Sequence, residues 1–125
     1  MKKIITSLFL MVAVLASVSL IAYADQGATV AGISGGGTQY KGAVDGESTQ
    51  YGCYAETKCY RVSGTESVYA YVEIVNYGGY LIGNGKSSTG TSYACSGTQS
   101  MSGGYNAYGS IGTASGTSRT FCRLY

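Results

Sequence analysis

Four cysteines are the residues of this chain whose type and number most readily support chemistry: Cys53, Cys59, Cys95 and Cys122. An even number of cysteines in a small exported chain is typical of disulfide bonds, whereas a zinc site usually contains histidines or a Cys-x2-Cys pair. The chain has no histidine, and its cysteines are separated by 5, 35 and 26 residues. The pattern therefore predicts two disulfide bonds and no metal site.

The spacing favours one of the three pairings that four cysteines allow. Residues 54–58 are few enough to form a hairpin loop, so we expect Cys53 to bond to Cys59. Cys95 would then bond to Cys122, which would tie the last strand to an earlier one. The spacing alone leaves the other two pairings open.

The chain lacks the residue combinations that usually carry catalysis. Without histidine it cannot form a Ser-His or Cys-His pair. Two carboxylates could hydrolyse a glycosidic bond if they faced each other across a sugar, and calcium requires about six to eight oxygen ligands. The acidic residues after Asp25 do not form a sequence motif for either task; they are Asp45, Glu47, Glu56, Glu66 and Glu73. We expect no enzyme activity and no cofactor.

The first 24 residues have the organisation of a secretory signal peptide. Lys2 and Lys3 precede an uncharged apolar stretch at 4–21, and Ala22-Tyr23-Ala24 supplies the small residues of a cleavage site. An uncleaved membrane anchor is the alternative, but serines and threonines dilute the apolar stretch. We expect cleavage before Asp25, and release into the extracellular space or, if the source has an outer membrane, into the periplasm.

The composition after cleavage argues against nucleic acid and lipid as partners. Loss of Lys2 and Lys3 leaves six basic residues against six acidic ones, so the chain has no net charge with which to attract phosphate groups. No second apolar segment follows the first, so we expect no membrane attachment after cleavage. Aliphatic residues are few, and we expect the many tyrosines, together with the crosslinks, to complete the core.

Alternating residues at 67–77 give the clearest structural signal. Val68, Ala70, Val72 and Ile74 share one parity, and Tyr69, Tyr71 and Tyr77 share the other. A period of two is that of a β-strand with an aliphatic and an aromatic face. Gly78-Gly79 and Asn84-Gly85 both suit tight hairpin turns.

Shorter strand-like segments occupy much of the remaining chain, and no segment after the signal has a helical pattern. We expect strands at 28–33, 50–55, 58–62, 80–82, 92–96, 101–111 and 119–124, separated by Gly, Ser, Thr and Asn. These segments predict an all-β fold, a small antiparallel β-sandwich or barrel-like domain of about six to eight short strands linked by disulfides. We expect this domain to span 49–125 and a Gly-rich, partly ordered segment to occupy 25–48.

The abundance of Tyr, Ser, Gly and Asn favours a binding surface. Tyrosine offers a large contact area at low entropic cost, and small polar residues adapt their hydrogen bonds. We therefore expect a secreted, non-catalytic protein that binds a cell-surface glycan or protein through Tyr69, Tyr71 and Tyr77. Two alternatives stay open, a bacteriocin-like toxin acting on neighbouring cells and a self-assembling matrix or fibre subunit. The sequence does not indicate an oligomeric state.

Overall fold

Residues 27–124, which the computed structural model describes, form nine strands in two antiparallel sheets. The strands are β1 Val30–Ile33, β2 Gln39–Thr49, β3 Gly52–Ser63, β4 Val68–Val75, β5 Leu81–Gly90, β6 Tyr93–Cys95, β7 Gln99–Met101, β8 Asn106–Thr113 and β9 Gly116–Arg123. The predicted all-β class is therefore confirmed. Within 27–124, no helix has the length and hydropathy needed to cross a membrane. The predicted signal peptide at 1–24 lies outside the described residues.

The two sheets pack face to face. Sheet A has the order β1-β2-β3-β6, and β7 pairs with another part of the long strand β3. Sheet B has the order β5-β4-β8-β9. Because successive side chains of a strand point to opposite faces, each sheet has an inner face towards the core and an outer face towards solvent.

Several predicted boundaries are wrong. Residue 48, predicted to end a separate Gly-rich segment, lies inside β2, and β2 pairs with β3 along its whole length. The hairpin connecting these strands turns at Gln50-Tyr51, where a strand was predicted. Asn84-Gly85 lies within β5, beside a shift in the register between β4 and β5, and is not a hairpin turn.

The inner face of β4 confirms the predicted aliphatic side of this strand. Val68, Ala70, Val72 and Ile74 are all completely buried. Among the described tyrosines, however, only Tyr40 is buried, and its hydroxyl lies 2.7 Å from Ser118 Oγ. The expectation that tyrosines complete the core is therefore wrong, because small residues fill the space between the sheets.

A narrow layer of small residues divides the core into two apolar clusters. One cluster includes Val72 and Ile74, and the other includes Val68 and Ala70. Between them, Thr57 of sheet A lies against Gly109 of sheet B, where an added Cβ would come 2.5 Å from Thr57 Oγ1. The sheets are thus close together at this layer, and a side chain at position 109 would push them apart.

The cysteines do not lie where the predicted pairings require them. Cys53 and Cys59 both point inward from β3, and six residues of a strand span about 20 Å, whereas a disulfide needs Cα atoms within about 7 Å. Residues 54–58 are therefore strand and not a hairpin loop. Cys95 shares the outer face of sheet A with Lys58, whereas Cys122 is buried in sheet B. Both predicted pairings are wrong for this fold, and residues 27–124 contain no disulfide bond, so the predicted crosslinking is not confirmed.

We expect the four cysteines to differ sharply in reactivity. Cys53, Cys59 and Cys122 are at most 2% exposed, whereas Cys95 is partly exposed. Burial also raises the pKa of the Cys59 thiol, which lowers the fraction of reactive thiolate. In the reduced protein, an aromatic disulfide reagent should therefore modify Cys95 alone while the chain is folded and all four cysteines after unfolding.

A matched variant makes the labelling result specific. Cys95→Ser should remove the reaction of the folded protein and leave three reactive thiols after unfolding. If Cys53, Cys59 or Cys122 of the folded, reduced protein reacted as fast as Cys95, burial would not control the reactivity of these thiols and this expectation would be wrong.

Glu66 joins three chain connections at one end of the sandwich. Its carboxylate accepts hydrogen bonds from Ser34 Oγ and from Ser115 Oγ, the latter at 2.5 Å, and its backbone N–H donates to Thr38 Oγ1 at 3.0 Å. The hydrogen bond from Ser115, followed by that from Ser34, holds the pKa of Glu66 below its ordinary value. The ionised carboxylate therefore stabilises contacts between the β1–β2, β3–β4 and β8–β9 connections.

We expect this contribution to the free energy of unfolding to depend on pH. A carboxylate with a lowered pKa in the folded state stabilises the fold above its ordinary pKa of 4.5, and the stabilisation is lost as the pH falls through the lower folded-state value. Glu66→Gln should thus destabilise the protein at neutral pH, and the difference from wild type should shrink on acidification. Urea unfolding between pH 7 and pH 3 measures this, and the control is Glu47→Gln, because Glu47 is an exposed residue of β2. A difference that does not change with pH would contradict the role of the Glu66 charge.

Candidate binding face

Aromatic and charged side chains collect on the outer face of sheet B. Tyr69, Tyr71 and Glu73 alternate with the buried residues of β4, and the strand register brings Glu73 opposite Tyr108 and Tyr108 opposite Phe121. We call this surface the tyrosine face; it comprises Tyr69, Tyr71, Glu73, Tyr108, Arg119 and Phe121. Three strands supply these residues, so the surface exists only when β4, β8 and β9 are paired.

An ion pair stacked on a ring lies at the centre of the tyrosine face. The Arg119 guanidinium lies 4.3 Å from the centre of the Tyr108 ring and donates to Glu73 Oε1 at 2.7 Å. Tyr71 donates its hydroxyl hydrogen to Glu73 Oε2 at 3.0 Å. The cation–π contact and the two hydrogen bonds restrict these side chains, so the face is largely organised before any ligand arrives.

The rings of this face are only partly covered. Phe121 is 41% exposed although it is apolar, and its ring centre lies 5.3 Å from that of Tyr108. Tyr71 is more enclosed, because its ring lies close to the backbone of Gly85 in β5. A Cβ added at Gly85 would overlap this ring. Burial, followed by the hydrogen bond to Glu73, raises the pKa of Tyr71, so its hydroxyl stays protonated as a hydrogen-bond donor.

The three predicted binding tyrosines do not form one row. Tyr69 and Tyr71 lie on β4 as expected, but β4 ends at Val75, and Tyr77 lies in the following turn. The Tyr77 side chain is 83% exposed, and its ring meets Tyr105 edge-on with 4.9 Å between centres. Tyr77 thus stands beyond the end of the strand, next to the tyrosine face rather than within it.

Grooves lie at both ends of the tyrosine face. One groove, of about 560 Å³, is lined by Glu66, Ser67, Tyr69, Thr89, Thr113, Ala114 and Thr117. The other, of about 370 Å³, is lined by Glu73, Val75, Asn76, Tyr77, Gly79, Leu81, Asn106, Tyr108 and Arg119. We call the second one the end groove. It brings the predicted residue Tyr77 together with the Tyr108–Arg119 stack.

Sequence reasoning missed Tyr108 and did not assign Phe121 or Arg119 to a binding surface. Arg119 and Phe121 have the same parity in β9, which is a signal of a shared face. The sequence does not reveal that Tyr108 of β8 lies between them and β4, since this depends on strand order. The face is therefore broader than the predicted strand of tyrosines.

The outer face of sheet A carries a different groove. Asp45 lies opposite Glu56 in the β2–β3 register, and together with Glu47 and Tyr54 they line a groove of about 420 Å³. Glu56 is engaged by Lys58, whose Nζ lies 2.9 Å from Glu56 Oε1, and this hydrogen bond raises the pKa of Lys58. Within the described part of the chain, no group of three or more acidic or cysteine side chains is arranged to hold a metal ion.

Together, the strands and the site define a two-sheet antiparallel β-sandwich with an aromatic outer face. Comparison with protein-family models, with curated proteins and with solved structures found no match.

Proposed function

We propose that this protein is a secreted, non-catalytic binding protein and that it recognises a cell-surface glycan or protein through the tyrosine face. The observation that carries the proposal is the partly exposed ring array of Tyr69, Tyr71, Tyr108 and Phe121, with Arg119 stacked on Tyr108. Exposed rings on a rigid sheet offer contact area without a large loss of side-chain entropy on binding.

The organisation of the face supports recognition more than chemistry. Glu73 has both carboxylate oxygens engaged, by Arg119 and by Tyr71, so this carboxylate is committed to holding neighbouring side chains in place. Arg119 and Tyr108 are held by the same contacts. Preorganisation of this kind strengthens binding because less freedom is lost when the ligand arrives.

Export is part of the same proposal. The segment at 1–24 has the features of a signal peptide, and a protein released by cleavage before Asp25 would meet cell surfaces directly. Disulfide formation in that compartment also stays a proposal. The strand register places Cys59 opposite Ala94, the neighbour of Cys95, and the side chains of Cys59 and Cys95 point to opposite faces of sheet A. A bond between them would require the short strand β6 to shift by one residue.

The experiment compares the wild type with a variant that carries Tyr69→Ser, Tyr71→Ser and Tyr77→Ser. Both proteins are applied to a glycan array and to intact bacterial and animal cells, after circular dichroism has shown that both are folded. We expect the wild type to bind and the variant to bind at least about tenfold more weakly, since each lost ring contact is worth about 1 kcal/mol.

The matched control is Tyr51→Ser. Tyr51 is 84% exposed, as open as Tyr77, but lies in the β2–β3 turn away from the tyrosine face. Equal binding by the triple variant and the wild type would reject the tyrosine face as the site. Growth inhibition of the target cells would favour the toxin alternative, and fibres that form with increasing concentration would favour the matrix subunit.

A further inference from the structure

The end groove has the shape and chemistry of a small-ligand site. Its volume of about 370 Å³ is near the lower end of the range of small-molecule sites, about 300–1,000 Å³. Tyr77 lines the groove together with the stacked pair Tyr108 and Arg119 and the nearly buried Val75. The groove thus combines ring faces with hydrogen-bonding side chains.

The Tyr77 wall is held by a well-connected turn. Gly79 N–H donates to the Asn76 carbonyl at 3.0 Å, and Tyr80 N–H donates to Asn76 Oδ1 at 3.1 Å. Gly79 has a φ of 82°, a left-handed conformation that suits glycine. Since Tyr105 also meets the Tyr77 ring edge-on, the turn and the ring contact together define where this exposed ring stands.

Polar groups of the end groove have remaining hydrogen-bonding capacity. The Arg119 side chain is 62% exposed, and its contact with Glu73 uses one of the guanidinium nitrogens. Asn106, on the same outer face, has a buried Oδ1 that accepts no hydrogen bond from any described residue. An unmade hydrogen bond of this kind has a cost, which a ligand hydroxyl would remove if the amide turned towards it.

The charge of the end groove selects among ligands. The charged side chains that line it are Glu73 and Arg119, which neutralise each other at 2.7 Å. An anionic ligand would therefore meet a carboxylate next to the arginine. A purely apolar protein segment would offer no partner to Asn106 Oδ1 or to the remaining N–H groups of Arg119. A neutral sugar avoids both costs, because its hydroxyls can bond to these groups while its C–H face stacks on a ring.

We infer that the end groove binds one neutral pyranose unit of a glycan, with Tyr77 as a stacking wall and Asn106 and Arg119 as hydrogen-bonding partners. This inference rests on the proposed function and names the ligand class at one end of the same surface. Tyr69 and Tyr71 would contact the neighbouring part of the glycan or its carrier.

The test uses the full chain and titrates it calorimetrically with cellohexaose, chitohexaose and mannohexaose as neutral probes and with a heparin hexasaccharide as the anionic probe. We expect binding of at least one neutral probe and not of heparin. Tyr77→Ser and Asn106→Ala should each weaken that binding, the former by about tenfold. Tyr51→Ser, equally exposed but distant, should leave the affinity unchanged.

Cell binding in parallel separates this inference from the proposed function. If wild-type cell binding falls in a Tyr69→Ser, Tyr71→Ser variant but no neutral probe binds, the sugar inference is overturned and the binding face stands. Binding of heparin alone, or loss of cell binding after protease treatment but not after glycosidase treatment, also overturns it. Equal affinities of Tyr77→Ser and Tyr51→Ser for the neutral probe would overturn the assignment to the end groove.

Discussion

Val72→Asp should destabilise the fold by at least about 4 kcal/mol, a large part of the about 5–15 kcal/mol that keeps a typical domain folded. Val72 is completely buried and belongs to one of the two apolar core clusters. A carboxylate there must either stay charged without a partner or take up a proton at a cost in free energy. Urea unfolding followed by circular dichroism measures the loss.

The matched substitution on the opposite side of the same strand is Tyr71→Ser. Tyr71 is partly exposed, so we expect a loss of about 1–2 kcal/mol, from its contact with Gly85 and its hydrogen bond to Glu73. Equal losses for the two variants would mean that both faces of β4 are core. The tyrosine face would then lose its main support as a binding surface.

Gly109→Ala should destabilise the fold by about 2 kcal/mol, a large effect for the addition of one methyl group. The added Cβ would come 2.5 Å from Thr57 Oγ1 and 2.9 Å from Thr120 Cγ2, in the layer of small residues between the two core clusters. These contacts are with the side chains of two buried threonines, which must rotate or shift to make room. Chemical unfolding of the variant gives the value.

A second substitution identifies the contact responsible. Thr57→Ala removes the hydroxyl and methyl group that the new Cβ would meet, so Gly109→Ala should cost less in that background. Gly116→Ala in β9 is the control, because the nearest atom to its added Cβ is 3.4 Å away. Additive effects of the Thr57 and Gly109 substitutions would show that the close approach of the sheets is not the cause.

Sequence patterns sufficed for the features that depend on neighbouring residues. Alternation at 68–75 predicted both the buried aliphatic side of β4 and the outer position of Tyr69 and Tyr71. Gly78-Gly79 predicted the turn after this strand, because a φ of 82° at Gly79 is available chiefly to glycine. Local conformational preference and a period of two act over a few residues, so they can be recognised in the sequence.

The failed predictions concern partners that are distant in sequence. Cys53 and Cys59 looked like the two sides of a loop, but they lie on one continuous strand because β3 has partners on both of its edges along much of its length. The scarcity of aliphatic residues suggested that tyrosines would fill the core. Small residues such as Gly109 and Thr57 instead let the two sheets lie close together, so the space between them needs few large side chains.

The sequence by itself determined that the chain would form antiparallel strands and that β4 would have one aliphatic and one aromatic side, because side-chain alternation is a property of the strand alone. Only the tertiary structure decided that Tyr108, Arg119 and Phe121 would join that aromatic side and that Tyr77 would border a groove beside it. Strand order and register bring these residues together. The packing of both sheets sets this order and register, and no single segment of the sequence encodes that packing.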